Sequence, residues 1–431
     1  MRLSVIGTGY VGLTAAACFA KIGHQVIGVD NDPKKISLLK EGKIPIYEPK
    51  LEDIVKEEMA KGRLAFTTEI AEGVKNSQIV FIAVGTPPKE TGEPDLSAVE
   101  NVARQIGENM VDYLLIVEKS TVPVKTGEWI KRTIERYNKK KIPFDVASNP
   151  EFLREGRAVD DFLSPDRIVI GCETTRAKEL LLEVYKPLNS KILVTNLESA
   201  ELIKHASNAF LAMKISFINA VAIVCEAVKA NIKEVADGVG LDKRIGRDFL
   251  DAGIGYGGFC FPKDLDAFIK ISEELGYDFR LLKVVREINN EMRERLIKKA
   301  KEVLWNLRDK KIGVLGLSFK PDTDDMRFAP SIDIISRLIA EGAKVLAYDP
   351  KAMEKAREVL PGINYCQSPY EVCQDADCLL ILTEWEEFKH LDLKRVKALL
   401  KLPVIIDGRN IFDPKVMAKL GFIYRGVGWG Y

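Results

Sequence analysis

One segment near the N-terminus constrains the fold more than any other. Gly7-Thr-Gly-Tyr-Val-Gly12 stands between an apolar run, Arg2-Leu-Ser-Val-Ile, and a helical run from Leu13 to Ile22. Gly23 and a second apolar run, Gln25 to Val29, follow, and that run ends on Asp30. Strand, glycine turn, helix, strand and terminal acid form the setting in which a G-x-G-x-x-G segment binds a dinucleotide. Gly7 allows the tight turn, Gly9 lets a pyrophosphate approach the backbone, and Gly12 lets helix and strand pack closely. The helix N-terminus faces the phosphates. The Asp30 carboxylate is placed to accept from both ribose hydroxyls and would repel a 2′-phosphate. The sequence therefore predicts NAD rather than NADP.

The parallel sheet continues beyond this unit. Ile79 to Pro88 and Leu114 to Pro123 each read as a buried strand running into a turn. Their ends bring Gly85-Thr86-Pro87 and Ser120-Thr121-Val122 to the carboxyl edge, where open α/β sheets bind ligands. Phe144 to Gly156 is a further strand leading into a polar segment with Glu151 and Glu155 four apart. If that segment is helical, both carboxylates share one side and are placed for acid/base work.

From about Ser199 to Trp305 the pattern turns helical. The stretch Glu201 to Ile232 predicts one long helix of roughly 45 Å. Lys204 and Asn208, four apart, share a face near its start, and His205 beside them reads as packing. The segment Phe210 to Val228 contains Lys214, Ser216, Asn219 and Glu226, so it reads as a buried helix rather than a membrane span. Its remaining apolar surface predicts contact with a second copy of the chain. Asp278 to Leu307 is a second long helical stretch.

The opening pattern then repeats in outline. Lys311 to Lys320 is a strand and turn, Ser331 to Glu341 a helix, and Gly342 to Pro350 mirrors Gly23 to Asp30. Asp377 to Thr383 and Pro403 to Asn410 supply further strands. The expected fold is α/β. Two Rossmann-like doubly wound domains, 1–198 and 308–431, are joined by a helical central region, 199–307, with one long helix. The second lacks the full glycine fingerprint and is expected to hold a different nucleotide-like group. Lys320, Arg327 and Arg409 lie at its strand ends and loops, where they suit phosphates.

Between the two long helical stretches lies Gly253-Ile-Gly-Tyr-Gly-Gly-Phe-Cys-Phe-Pro-Lys-Asp264. Its glycines permit a sharp turn and close approach of another molecule. Pro262 favours the first turn of a helix, which places Cys260 at a helix N-terminus, where a thiolate is favoured. Asp264 falls one turn further on the same face. This predicts covalent catalysis by Cys260. The other six cysteines, Cys18, Cys172, Cys225, Cys366, Cys373 and Cys378, have no such setting and read as structural.

Composition narrows the partners. The 431 residues are 46% hydrophobic, with a net charge of +1 and no basic block, which argues against nucleic acid. An odd cysteine number, no C-x-x-C pair and three histidines argue against structural zinc and for a reducing, cytoplasmic compartment. No signal-peptide pattern opens the chain.

Together these segments resemble the UDP-glucose/GDP-mannose dehydrogenase family over the whole length. The carriers are the fingerprint, Gly85-Thr-Pro, Ser120-Thr-Val-Pro, Asn149-Pro-Glu-Phe-Leu-Arg-Glu-Gly156, Lys204-x-x-x-Asn208, the Cys260 loop and Phe319-Lys-Pro-Asp-Thr-Asp-Asp-Met-Arg327. The resemblance implies oxidation of a sugar nucleotide at C6, from alcohol to carboxylate, with two NAD and no free aldehyde. Cys260 would form a thiohemiacetal and then a thioester. Lys204 and Asn208 would steady the oxyanion, and Asp264 and Glu155 would assist through water, with Thr121 nearby. The implied cofactor contacts are Gly7, Gly9, Tyr10, Val11, Gly12, Asp30, Lys35, Thr86, Thr121, Glu155 and Arg327, the last across a domain cleft. The implied contacts to the UDP-sugar are Glu151, Phe152, Leu153, Lys204, Asn208, Phe249, Tyr256, Gly257, Phe319, Lys320 and Arg409. Arg244 would reach the substrate of a partner subunit, which implies a homodimer.

Phe259 departs from the family, which usually has a small residue before the cysteine. Within the family, Asp324 to Pro330 looks more like the UDP-glucose branch than the GDP-mannose branch, and Asn149-Pro-Glu-Phe-Leu-Arg-Glu disfavours UDP-N-acetylmannosamine. Outside it, the rival is a single-step NAD-dependent hydroxyacid dehydrogenase, which needs no nucleophilic cysteine.

Overall fold

The computed structural model describes residues 1–89 and 93–430. Its contacts divide the chain into two compact units, one of residues 1–207 and 266–271, the other of 208–265 and 272–431.

The first unit is built on an eight-stranded sheet: β1 (Arg2–Ile6), β2 (Gln25–Val29), β3 (Leu64–Thr67), β4 (Ile79–Ile82), β5 (Leu114–Glu118), β6 (Phe144–Ser148), β7 (Ile168–Cys172) and β8 (Ile192–Thr195). Their spatial order is β3-β2-β1-β4-β5-β6-β7-β8, with only β6 and β7 antiparallel. The strands are apolar on both faces because helices cover both. Leu3, Val5, Phe81, Leu115 and Val117 enter one core, while Ile6, Val80, Ile82 and Ile116 enter the other. That split follows the two-residue period of a strand.

The second unit carries β9 (Lys311–Leu315), β10 (Lys344–Tyr348), β11 (Asn364–Tyr365), β12 (Cys378–Ile381), β13 (Val404–Asp407) and β14 (Ile423–Arg425). This sheet is fully parallel, in the order β11-β10-β9-β12-β13-β14. Both sheets therefore reverse strand order beside their first strand, at the position where doubly wound folds bind nucleotides.

The helical middle differs in detail from expectation. The long helix runs Leu197–Val228, not Glu201 to Ile232. Lys229 adopts φ +61°, and Asn231 caps a new helix, Ile232–Gly240, by accepting from the Lys233 and Glu234 amides. The next long helix is Arg280–Leu304. The expected buried helix is also corrected. Phe210, Phe217, Val224 and Val228 on Leu197–Val228 are each more than half exposed. By length and composition the helix could cross a membrane, with a third of its most apolar stretch buried.

Candidate active site

Each unit holds a distinct part of the predicted chemistry. In the first, the glycine turn follows β1, and the Gly7 amide donates to Val29 O at 2.7 Å. Gly7 has φ +99°, which favours glycine. A Cβ on Gly12 would lie 1.8 Å from Gly7 O, so helix and turn touch there. Around Gly9 a Cβ would meet nothing within 4 Å, and the helix Tyr10–Lys21 begins beside it with no side-chain cap. Close packing at Gly7 and Gly12 with open space at Gly9 is the shape a pyrophosphate requires.

Asp30 is buried at the tip of β2. Its Oδ2 accepts from the Thr8 amide at 2.9 Å and the Thr8 hydroxyl at 2.8 Å, and its Oδ1 accepts from the Asp32 amide at 3.0 Å. Lys35 Nζ lies 3.7 Å away. Burial pushes its pKa up, but these hydrogen bonds and Lys35 outweigh it and hold the carboxyl below the usual range. Asp30 thus braces the glycine turn and stays ionised. These residues fit NAD.

At the carboxyl edge, the Thr86 hydroxyl donates to Thr121 O at 3.0 Å, tying the turns after β4 and β5. The segment 151–154 is not helical, so Glu151 and Glu155 do not share a helix face. Carboxylates that accept from the loop's own amides compete with helix formation. Glu151 Oε2 accepts from the Leu153 amide at 2.6 Å, and Glu48 accepts from the Gly156 and Ala158 amides at 2.6 and 2.8 Å. The outcome is a buried ion pair: Glu151 Oε1 lies 2.9 Å from Lys204 Nζ. The Phe152 ring is near two cations, with the Arg167 guanidinium 3.8 Å and Lys204 Nζ 5.5 Å from its centroid. His205 Nε2 lies 2.8 Å from Val122 O, and its ring centroid is 5.9 Å from that of Phe268.

Sequence reasoning missed three buried titratable groups beneath this edge. Lys119 donates to Asn149 Oδ1 at 3.0 Å and approaches the Tyr185 hydroxyl at 3.5 Å. Burial pulls its pKa down to about 8, helped by Lys204 and opposed by Glu151. Burial pushes Glu118 up to about 8, opposed by hydrogen bonds from Ser120 and reinforced by Glu201. Burial likewise pushes Glu201 up to about 7, although it accepts from the Gly127 and Lys125 amides at 2.8 and 2.7 Å. The signal available was a Glu-Lys pair ending an otherwise apolar strand.

In the second unit, Cys260 is the first residue of the helix Cys260–Glu274, half-buried, with Pro262 in the first turn. The peptide dipoles of the helix converge there. The other six thiols are displaced upward by burial, Cys18 and Cys373 to about 12 and Cys366 to about 11. One turn past Cys260, Asp264 Oδ2 accepts from Asn208 Nδ2 at 2.6 Å, and its Oδ1 lies 2.5 Å from Lys263 Nζ.

The loop before Cys260 is sealed against the second sheet. A Cβ on Gly257 would come within 2.4 Å of Phe328 O. Asn289 binds Tyr256 at both its amide and its carbonyl, at 2.8 and 3.1 Å. Arg409 donates to Leu382 O, Gly255 O and Phe319 O at 2.9, 3.1 and 3.2 Å, and so fastens the loop to β12 and β13. Lys320 Nζ lies 5.4 Å from the Phe319 ring centroid. Phe249 adopts φ +65°, and its ring meets Phe261 edge-on at 6.1 Å. Arg327 is paired with Asp325, and Arg244 with Asp242 in an exposed position.

A dinucleotide turn on one sheet, a second nucleotide-type sheet and a thiol beside a hydrogen-bonded carboxylate define an NAD-dependent oxidoreductase. Family models agree in all three regions. Residues 1–189 match the NAD binding domain of the UDP-glucose/GDP-mannose dehydrogenase family, 198–291 its central domain and 313–414 its UDP binding domain. The chain belongs to the UDP-glucose/GDP-mannose dehydrogenase family. It is 49% identical over 428 residues to a UDP-glucose 6-dehydrogenase of Bacillus subtilis, covering 99% of this chain and 93% of that one. It is 47% identical to the Rhizobium meliloti UDP-glucose 6-dehydrogenase, with 99% of each covered. Among solved structures, a UDP-glucose dehydrogenase from Pyrobaculum islandicum superposes with a TM-score of 0.94 at 42% identity, covering 100% of this chain and 98% of that one.

Proposed function

We propose that the chain oxidises UDP-glucose at C6 to UDP-glucuronate in two successive NAD-dependent steps. The observation that carries this reading is Cys260 at a helix start, with Asp264 one turn on and hydrogen-bonded to Asn208. A single-step alcohol oxidation has no use for that thiol. The high identity to UDP-glucose 6-dehydrogenases supports this substrate over the GDP-mannose and UDP-N-acetylmannosamine alternatives.

NAD, when bound at the Gly7–Gly12 turn and Asp30, accepts a hydride, and two equivalents are consumed per sugar. In the first oxidation the C6 hydroxyl gives up its proton and C6 its hydride, leaving an aldehyde. The Cys260 thiolate adds to the carbonyl carbon, and the negative charge falls on oxygen. Lys204 and Asn208, one turn apart on the same helix, stabilise that charge. The second hydride leaves this thiohemiacetal as a thioester. Water attacks the thioester, the thiolate departs, and Asp264 and Glu155 guide the proton transfers. Glu151 keeps Lys204 oriented, and Phe152 and Leu153 contact the sugar. Phe319, Lys320 and Arg409 contact the nucleotide, and Arg409 also ties the loop before Cys260.

The active species is a cytoplasmic homodimer. Phe210, Phe217 and Val224 recur at seven-residue intervals on one exposed helix stripe, which supports burial against a second copy. Exposed Arg244 is free of the chain's own core and would serve the partner's substrate. Seven free thiols support a reducing compartment.

The test is NADH yield with UDP-glucose, UDP-galactose, GDP-mannose and UDP-N-acetylmannosamine. Two NADH per UDP-glucose are expected, with far lower kcat/KM for the others. One NADH per sugar, or preference for GDP-mannose, overturns the reading.

A further inference from the structure

Phe259 has a defined place in the second unit. The Arg327 guanidinium carbon lies 4.2 Å from its ring centroid, and Lys263 Nζ lies 5.3 Å from the same centroid. Both distances fall within the range of cation–π attraction. Each cation is also tied to a carboxylate. Arg327 donates to Asp325 through Nε at 2.9 and 3.0 Å and through Nη2 at 2.6 Å. Lys263 is paired with Asp264, which in turn accepts from Asn208. One ring therefore joins two ion pairs that come from separate segments, and the residue after it is Cys260. The neighbouring aromatic, Phe261, packs differently, edge-on to Tyr256 at 5.7 Å and to Phe249 at 6.1 Å.

We propose that Phe259 is a positioning residue for the reaction: its ring seats Arg327 and Lys263 together beside Cys260. A serine or alanine there would offer neither cation a surface. Each cation would lose its contact with the ring, Arg327 keeping its pair with Asp325 and Lys263 its pair with Asp264. The ring gathers both positive charges around the residue that precedes the nucleophile, and cations near a cysteine favour its thiolate. It also fixes the direction from which Lys263 meets Asp264. The groups that set the local field are Lys263 and Arg327 against Asp264 and Asp325. The inference rests on Cys260 being the nucleophile.

The test separates ring electronics from ring volume. Phenylalanine at 259 is replaced by mono-, di- and trifluorophenylalanine, which keep the shape and drain the π face. Two quantities are read in the full-length protein: kcat with UDP-glucose and NAD, and the rate of Cys260 alkylation by iodoacetamide, with Cys260→Ser as background. Both are expected to fall stepwise along the series, roughly tenfold by the trifluoro variant, at unchanged Tm. Phe259→Tyr is expected to stay within about twofold of wild type, and Phe259→Leu to lose roughly tenfold or more. A flat fluorination series, or Phe259→Leu equal to wild type, overturns the proposal and leaves the ring as a space-filler. If Phe259→Leu does not fold, the near-isosteric fluorinated series decides. If wild type gives no NADH from UDP-glucose while alkylation still tracks fluorination, the substrate reading fails and the role of Phe259 stands.

Discussion

Asn208 donates a 2.6 Å hydrogen bond to Asp264, although 56 residues separate them in the chain. The contact ties the long helix Leu197–Val228 to the helix that begins at Cys260. Lys263 lies against the other oxygen of the same carboxylate, and both partners of that pair are almost fully buried. Removing the carboxylate therefore strands a buried ammonium. Asp264→Ala is expected to cost about 3–5 kcal/mol of stability, and Asn208→Ala about 1.5–3 kcal/mol. Thermal melting should rank wild type above Asn208→Ala above Asp264→Ala. An Asp264→Ala protein that melts with wild type would show that the pair carries no such weight.

Asp30 has two tasks, and its replacement should expose both. It ties the glycine turn through Thr8 and presents a negative charge where a 2′-phosphate would sit. Wild type should favour NAD over NADP by at least about tenfold in kcat/KM. Asp30→Ala should raise the KM for NAD and narrow that preference. Equal kcat/KM for the two cofactors in wild type contradicts the assignment.

Much of this site was legible in the chain because its determinants are local. A strand, a glycine turn and an acid twenty-odd residues on are read from spacing alone, and so is a cysteine ahead of a proline. What escaped depends on contacts between distant segments. Nothing near Glu151 announces that it pairs with Lys204, 53 residues away, rather than facing solvent with Glu155. Arg409 at a strand end suits a phosphate by its position in the sequence alone. In the fold its guanidinium also donates to three carbonyls, two of them in segments far away in sequence, and lies 3.3 Å from Glu384 Oε2, contacts that no local pattern announces. A helix from Glu201 to Ile232 also follows from the sequence, whereas in the fold Leu197–Val228 ends first and the Asn231 cap starts a new helix.

The buried acid at Glu201 predicts a pH signature. Its folded pKa is raised to about 7, well above the ordinary glutamate value. The folded state therefore binds the proton more tightly than the unfolded chain does. That contribution is fully present below about pH 4.5 and is lost as pH rises through about 7, up to about 3 kcal/mol in all. Glu201→Gln removes the titration and keeps an oxygen for one of the two amides. The difference in Tm between Glu201→Gln and wild type should move in favour of the variant from pH 5.5 to pH 8. A difference that is constant across this range would rule out Glu201 as the source.

The stripe of Phe210, Phe217 and Val224 makes the dimer testable without touching the chemistry. Phe217→Glu places a charge in the proposed interface and should convert the protein to monomer in sedimentation at micromolar concentration. Its far-ultraviolet circular dichroism should be unchanged, because Phe217 is 53% exposed in the single chain. A wild type that sediments as monomer removes the need for the stripe to be covered.

Cys260 carries the sharpest prediction. The first oxidation requires a hydride acceptor and a proton acceptor, and no thiol. Cys260→Ala should therefore form at most one NADH per UDP-glucose and retain aldehyde or its hydrate. The second oxidation needs a carbon bearing an oxyanion, which the thiolate creates by addition. Cys260→Ser supplies a hydroxyl, a weaker nucleophile at neutral pH. If it adds and a second hydride leaves, the product is an oxygen ester, which water cleaves more slowly than a thioester. An adduct heavier by the acyl sugar nucleotide should then accumulate on Cys260→Ser and be visible by mass spectrometry of the intact protein. Lys204→Ala, with the thiol intact, should slow turnover by about two to three orders of magnitude, because the oxyanion loses its cation. Two NADH and free UDP-glucuronate from Cys260→Ala at near wild-type rate would remove Cys260 from the mechanism, and the glycine loop would then serve only to close the fold.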